Sequence, residues 1–142
     1  MNALTTNLIP AFEKSAFSFS PAANDGRHVA KRIALVGPCP DRACGIATFS
    51  NDILTQSSAF ESAHRFDRVS VLRNGETSDG DILLGEGDLG SYRLAAQKIN
   101  QARYDAVWIQ HEFGIYGGEN GRHILELAQR IAAPLVVTLH TI

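Results

Sequence analysis

The chain has 142 residues, of which 44% are hydrophobic and 20% charged, and its formal net charge is -2. This length fits one domain, and the slightly acidic balance gives no electrostatic case for nucleic acid or for more than peripheral membrane contact. No apolar run reaches the ~20 residues that a membrane-spanning helix needs. Because the first residues also lack a basic segment followed by an apolar core, the sequence predicts a cytoplasmic protein.

Residues 1–30 mix Ser, Thr, Asn, Ala and Pro with scattered Phe and show no period of 2 or 3.6. They predict a flexible leader that precedes a domain at residues 31–142. The alternative is a short helix that packs on the domain through Phe12, Phe17 and Phe19.

From residue 32 onward, short apolar runs alternate with helical patterns. Strands are predicted at 32–37, 68–72, 105–110 and 135–139, with a further short strand at 81–84. Helices are predicted at 46–57, from a cap at Ser91 to 102, and from 120 or 121 to just before Pro134. The residues expected to face inward are Ile46, Phe49, Ile53 and Leu54 on the first helix, Leu94, Ala95 and Ile99 on the second, and Ile124, Leu125, Leu127, Ala128 and Ile131 on the third. This alternation predicts an α/β fold, a Rossmann-like parallel sheet flanked by helices.

Ligands of such sheets bind beyond the carboxyl ends of the strands. Polar and glycine-containing segments follow three of the predicted strands, at residues 37–45, at 111–118 and at His140–Thr141. Their convergence on one edge of the sheet predicts a shared site there.

The first of these segments reads GPCPDRACGIATF and leads into a helix, whose free N–H groups suit a phosphate or a sugar hydroxyl. It matches neither the dinucleotide fingerprint G-x-G-x-x-G nor the phosphate-binding pattern ending in G-K-[ST]. The missing fingerprint counts against one possible function of the chain, that of a dinucleotide-dependent oxidoreductase. Gly45 is either a point of close ligand approach or a plain turn residue. Arg42 could bind an anion, although an arginine in an exposed loop is more often simply solvated. A disulfide between Cys39 and Cys44 is possible, and the sequence does not decide it.

Two metal-binding motifs can be checked against the spacing of the residues. An EF-hand that began at Asp79 would place leucines at its fifth and sixth positions, so the acidic stretch 76–88 is expected to be a solvated loop. HEFGI begins like the zinc motif H-E-x-x-H, but Ile115 stands where the second histidine belongs. No metal is therefore expected, and His111, Glu112 and His140 are either structural residues or hydroxyl-binding residues of a cleft.

Four segments occur in an order that resembles the N-terminal domain of GT-B glycosyltransferases, in the large retaining family that uses nucleotide sugars. They are CGIATF (44–49), SYRLAAQKIN (91–100), YDAVWIQHEFGIYGG (104–118) and PLVVTLHT (134–141), and the resemblance covers about residues 31–142. It implies the acceptor-side half of a two-domain hexosyltransferase, with a nucleotide-sugar donor and a sugar acceptor as substrates and neither metal nor cofactor.

The resemblance also implies roles for individual residues. His111 would point at the transferred sugar as the catalytic residue, and Gly45 would approach the donor. Glu112, with the turn that contains Gly117 and Gly118, would shape the acceptor side, and His140 and Thr141 would line the cleft wall.

The donor-side half of that fold is not found within these 142 residues. The N-terminal domain is expected to be partial, and the chain is expected to show little or no transfer without a separate C-terminal donor domain. The alternative function is a non-catalytic Rossmann-like module that binds a sugar or a partner chain.

Overall fold

A computed structural model describes residues 29–59, 64–80 and 82–141. The expected leader at residues 1–30 lies outside the described residues except for its last two. Among the described helices, none is long and apolar enough to cross a membrane.

Five parallel strands form one sheet in the order β3-β2-β1-β4-β5. The strands are β1 (Arg32–Pro38), β2 (Arg65–Leu72), β3 (Ile82–Gly85), β4 (Ala106–His111) and β5 (Leu135–Leu139). The helices described are α1 (Gly45–Ser57), after β1, α2 (Leu89–Ala102), after β3, and α3 (Ile124–Ala128), after β4, the last preceded by a 3₁₀ turn at Glu119–Gly121. The predicted α/β, Rossmann-like fold is therefore confirmed.

The two faces of the sheet are covered by different helices. Val36 of β1 and Ile109 of β4, which are register partners, are buried in one core cluster with residues of α2 and α3 such as Ile99 and Leu127. Because side chains alternate along a strand, the next residues, Gly37 and Gln110, face the opposite side, where Gly37 adjoins Ser50 of α1. This arrangement follows from right-handed crossovers that run in opposite directions along the sheet: α1 leads from β1 to β2, whereas α2 and α3 lead the other way, from β3 to β4 and from β4 to β5.

The predicted N-cap of α2 is wrong. Asp88, not Ser91, is the N-cap, and its Oδ1 accepts the Gly90 N–H at 2.8 Å. The Ser91 hydroxyl instead bonds to Gly85 and Asp88 in the turn before the helix.

The inward helical faces were only partly predicted. Ile46, Ala95, Ile99, Ile124 and Leu127 are buried as expected, whereas Phe49, Leu94 and Leu125 are exposed. Small and polar residues take their places, since Ala47, Ser50 and Ala96 are buried. Periodicity predicted the side of each helix that faces the sheet but not how much of that side the sheet covers.

The third helix is much shorter than predicted. Asn120 and Gly121 have φ of 53° and 74°, which stops a continuous helix at this point, and α3 begins only at Ile124. After it, the Asn100 side chain donates to the Arg130 carbonyl and accepts from the Ala132 N–H, which holds the chain in a non-helical path toward β5.

The edge strand β5 is apolar but poorly covered. Leu135, Val136, Val137 and Leu139 are 39–59% exposed, although parallel strands with such sequences are usually buried on both faces. Within the described residues, the outer edge of this strand and both of its faces are therefore open to a neighbour.

Candidate functional site

A network of ion pairs lies at the carboxyl ends of the strands. Arg42, in the loop between β1 and α1, has a side chain that is only 7% exposed, so the expectation of a solvated loop arginine is wrong. Its Nε and Nη2 donate to the two carboxylate oxygens of Glu76 at 2.9 and 2.7 Å, and Nη2 also donates to the Val71 carbonyl. Nη1 is buried and has no hydrogen-bond partner among the described residues.

A second arginine extends this ion network across the edge. Arg73 Nε donates to Glu86 at 2.7 Å, and its Nη2 donates to the Gly114 carbonyl at 2.8 Å. Arg42 lies 3.8 Å from the same Glu86 carboxylate. The network therefore joins the loops that follow β1, β2, β3 and β4, and the expectation of a merely solvated acidic loop is wrong for Glu76 and Glu86.

The network perturbs the ionisation of its members. The hydrogen bond from Arg42 lowers the pKa of Glu76 below its usual range, against a smaller opposing effect of burial. For Arg42, burial lowers the pKa, but hydrogen bonding and attraction to Glu76, together with attraction to Glu86 and Cys44, outweigh it and raise the pKa. Both groups therefore stay charged throughout the neutral range.

A cavity of about 180 Å³ lies beside this network, between the loop before α1 and the loop after β4. Its walls combine basic, acidic and small residues: Arg42, Ala43, Cys44, Arg73, Glu112, Gly114 and Ile115. Glu112, a predicted site residue, is thus placed next to the start of α1. Gly45 is the first residue of that helix, and nothing lies within 4 Å of the position that its Cβ would occupy.

Cys44 connects the cavity to the helix. Its Sγ accepts the Ala47 N–H at 3.4 Å, so it acts as the N-cap of α1. The Cys39 thiol donates to the Thr77 carbonyl, and both cysteines are free, so the disulfide left open by the sequence is absent. The other N–H groups of the first turn of α1 remain available to a ligand.

His111 ends β4 and is packed between two aromatic rings. Its imidazole stacks on Tyr116, with centroids 5.8 Å apart, and meets the Phe113 ring edge-to-face at 5.5 Å. Its Nδ1 is buried without a hydrogen-bond partner among the described residues. Tyr116 itself is fully buried and donates to the Gln110 carbonyl, so the ring beneath His111 is firmly held.

His140 lies at the same edge but belongs to the other face of the sheet. Its Nε2 is 2.9 Å from Gln110 Oε1, and its ring meets Phe49 of α1 edge-to-face at 5.4 Å. Gln110 and His111 are consecutive residues of β4, so their side chains point to opposite faces. The structure therefore brings together the backbones of His111 and His140, which share a 2.9 Å hydrogen bond, but not their rings. Thr141, also predicted as a site residue, is exposed.

Gly117 and Gly118, in the turn after β4, lie close against Glu86 and His123. A Cβ on Gly117 would collide with the Glu86 carbonyl and lie 2.6 Å from His123 Nδ1, and one on Gly118 would lie 2.6 Å from the same ring. Gly118 also has φ of 82°, which disfavours any side chain. These contacts alone explain why both positions hold glycine.

Sequence reasoning missed a larger cavity, of about 740 Å³, at the ends of β2 and β3. Its charged lining residues are Arg73, Glu76, Glu86 and Asp88, and three glycines complete much of the wall. The sequence signal was the glycine- and acid-rich composition of residues 75–88, which by itself does not distinguish a cavity from a solvated loop. No group of three or more metal-ligating side chains occurs among the described residues.

Compared with known proteins, the chain matches no family model, no curated protein and no solved structure at a significant level. The glycosyltransferase resemblance therefore stays a prediction, and the fold and the local geometry carry the functional argument.

Proposed function

We propose that this chain is the acceptor-side domain of a retaining, nucleotide-sugar-dependent GT-B glycosyltransferase. On this proposal, transfer requires a donor-side domain that closes the cleft, the reaction needs no metal or cofactor, and the protein works in the cytoplasm. The observation that carries the proposal is the convergence of the loops after β1 and β4 on one cavity at the carboxyl edge of a parallel sheet. Such edges are where sheets of this class bind their ligands.

The chemistry of the edge supports the proposal. The open position at Gly45 lets a ligand approach the N-terminus of α1, where backbone N–H groups can stabilise charge on a leaving phosphate. Glu112 supplies a carboxylate in the wall of the cavity for hydroxyl groups of the acceptor. His111, held against Tyr116, would offer its imidazole to the transferred sugar from a fixed position.

The proposal is tested by fusing the donor-side domain of a GT-B enzyme after Ile142. Transfer is then measured with labelled nucleotide sugars and a panel of free sugars as acceptors. Transfer above that of the isolated donor domain is expected, and Gly45→Val is expected to abolish it because the new side chain blocks the helix N-terminus. A fusion that binds the donor but transfers nothing to any acceptor would count against the proposal.

A second candidate function is a non-catalytic module that binds a sugar or a partner chain. The packing of His111 between Tyr116 and Phe113 favours it, because a histidine in that setting can serve the fold alone. This candidate predicts saturable binding of a ligand by the chain and no turnover in any fusion.

A further inference from the structure

The cavity between the loop before α1 and the loop after β4 presents both donors and acceptors of hydrogen bonds. Its donors are the guanidinium groups of Arg42 and Arg73. Its acceptor is the Glu112 carboxylate, which takes part in no ion pair with a described residue. A lining of this mixed kind matches hydroxyl groups, which donate and accept at once.

The positive charges of the cavity are already compensated. Glu76 lies 2.7 Å from Arg42, and Glu86 lies 2.7 Å from Arg73. When Glu112 is added, two cations stand beside three carboxylates, so the cavity has no net positive charge with which to hold a phosphate or a carboxylate. An anion would also approach Glu112 within the distance at which like charges repel strongly.

Arg42, which lines this cavity, nevertheless gives a reason to expect a ligand there. The Arg42 side chain is more than nine-tenths buried, and its Nη1 has no hydrogen-bond partner among the described residues. A buried donor of this kind is costly unless something bonds to it. A hydroxyl oxygen seated in the cavity supplies a partner without adding charge.

We propose that this cavity binds one uncharged, hydroxyl-rich ring, that Glu112 accepts hydrogen bonds from its hydroxyls, and that phosphorylated or carboxylated sugars are excluded. The identification of that ring as the acceptor of a transfer reaction rests on the proposed function; the binding itself does not. Glu112 is thus the residue that selects neutral over anionic sugars.

The test is a titration of the ¹⁵N-labelled chain with D-glucose and with D-glucose 6-phosphate, followed through the amide signals of Cys44 and Gly114. Glucose is expected to shift both signals in a saturable way and to bind about tenfold tighter than its phosphate, the ratio expected from one unfavourable charge contact. Glu112→Gln should weaken glucose binding by about tenfold, since a charged acceptor is lost. Glu119→Gln, which removes an equal charge from an exposed position, should leave it unchanged.

A second variant guards against a folding defect in Glu112→Gln. Ala43 lines the cavity but is itself exposed, so Ala43→Phe should fill the cavity, abolish binding and preserve the dispersed amide spectrum. The proposal is overturned if the phosphate binds as tightly as glucose, if saturating glucose shifts neither signal, or if Glu112→Gln binds glucose as well as the wild type. Glucose binding without transfer in the fusion would reject the transferase and leave this site standing.

Discussion

Replacing Arg42 by methionine removes the centre of the buried ion network while keeping an unbranched side chain. The change deletes two charge-assisted hydrogen bonds to Glu76, at 2.9 and 2.7 Å, and one to the Val71 carbonyl at 3.1 Å. Breaking a buried pair from one side costs about 3–5 kcal/mol. Because the Glu76 side chain is 23% exposed and regains some water, we expect a loss at the lower end of that range, about 3 kcal/mol.

The assay is urea unfolding followed by circular dichroism at pH 7, where this loss lowers the midpoint by about 1.5 M. Arg93→Met is the matched control: its ion pair with Glu126 spans 3.0 Å, but the Arg93 side chain is 54% exposed, and the effect should be far smaller. A loss of less than about 1 kcal/mol, or one no larger than that of the control, would refute the assignment of a structural network to this edge.

The effect of Arg42→Met on the free energy of unfolding should also depend on pH. Arg42 lowers the pKa of folded Glu76, so the stability that Glu76 contributes is present above its unfolded pKa, about 4.3, and is lost as the pH falls through the lower folded value. The difference in unfolding free energy between the wild type and Arg42→Met should therefore shrink as the pH is lowered from about 5 to about 2, through the unfolded pKa of the carboxyl group. A difference that stayed constant over this interval would contradict the role given to Glu76.

Three further outcomes follow from local geometry. For Asp67, burial raises the pKa, but hydrogen bonds from two arginines and a tyrosine outweigh it and lower the pKa; Asp67→Asn should therefore lose stability at pH 7, and this loss should shrink as the pH falls below the unfolded pKa of about 3.9, as acid-titration unfolding would show. Gly117→Ala should cost about 3 kcal/mol in urea unfolding through its clash, whereas Gly45→Ala, with open space at its Cβ, should cost nothing measurable. Val137→Lys should reduce concentration-dependent light scattering by charging the exposed β5, and Val29→Lys, exposed but outside the sheet, should not.

The strands and the order of the elements could be predicted because they depend on local apolar runs. The sequence indicated β1, β4 and β5 to within about one residue, since each is a short hydrophobic stretch bounded by Gly, Pro or a polar residue. The bounds of the third helix could not be predicted, because its late start depends on positive φ angles at Asn120 and Gly121 and its end on contacts with Asn100, thirty residues from Arg130.

For the candidate site, the sequence predicted which loops lie together but not the contacts among their side chains. Polar residues at the strand ends predicted that the loops after β1 and β4 lie at one edge of the sheet, and Glu112 lines a cavity between these loops. The ion network was missed because Arg42 lies 34 residues from Glu76, so no local pattern joins them. The sequence did not show that the His111 and His140 side chains lie on opposite faces of the sheet, because this depends on the register of β4 against β5.

The most direct test of the proposed function is the product formed by the fusion with a donor-side domain, analysed by proton NMR of its anomeric position. The proposal predicts a glycoside with the anomeric configuration of the donor, and a rate that falls at least ~100-fold in His111→Ala but little in the neighbouring Phe113→Ala. An inverted product, or full activity in His111→Ala, would contradict it.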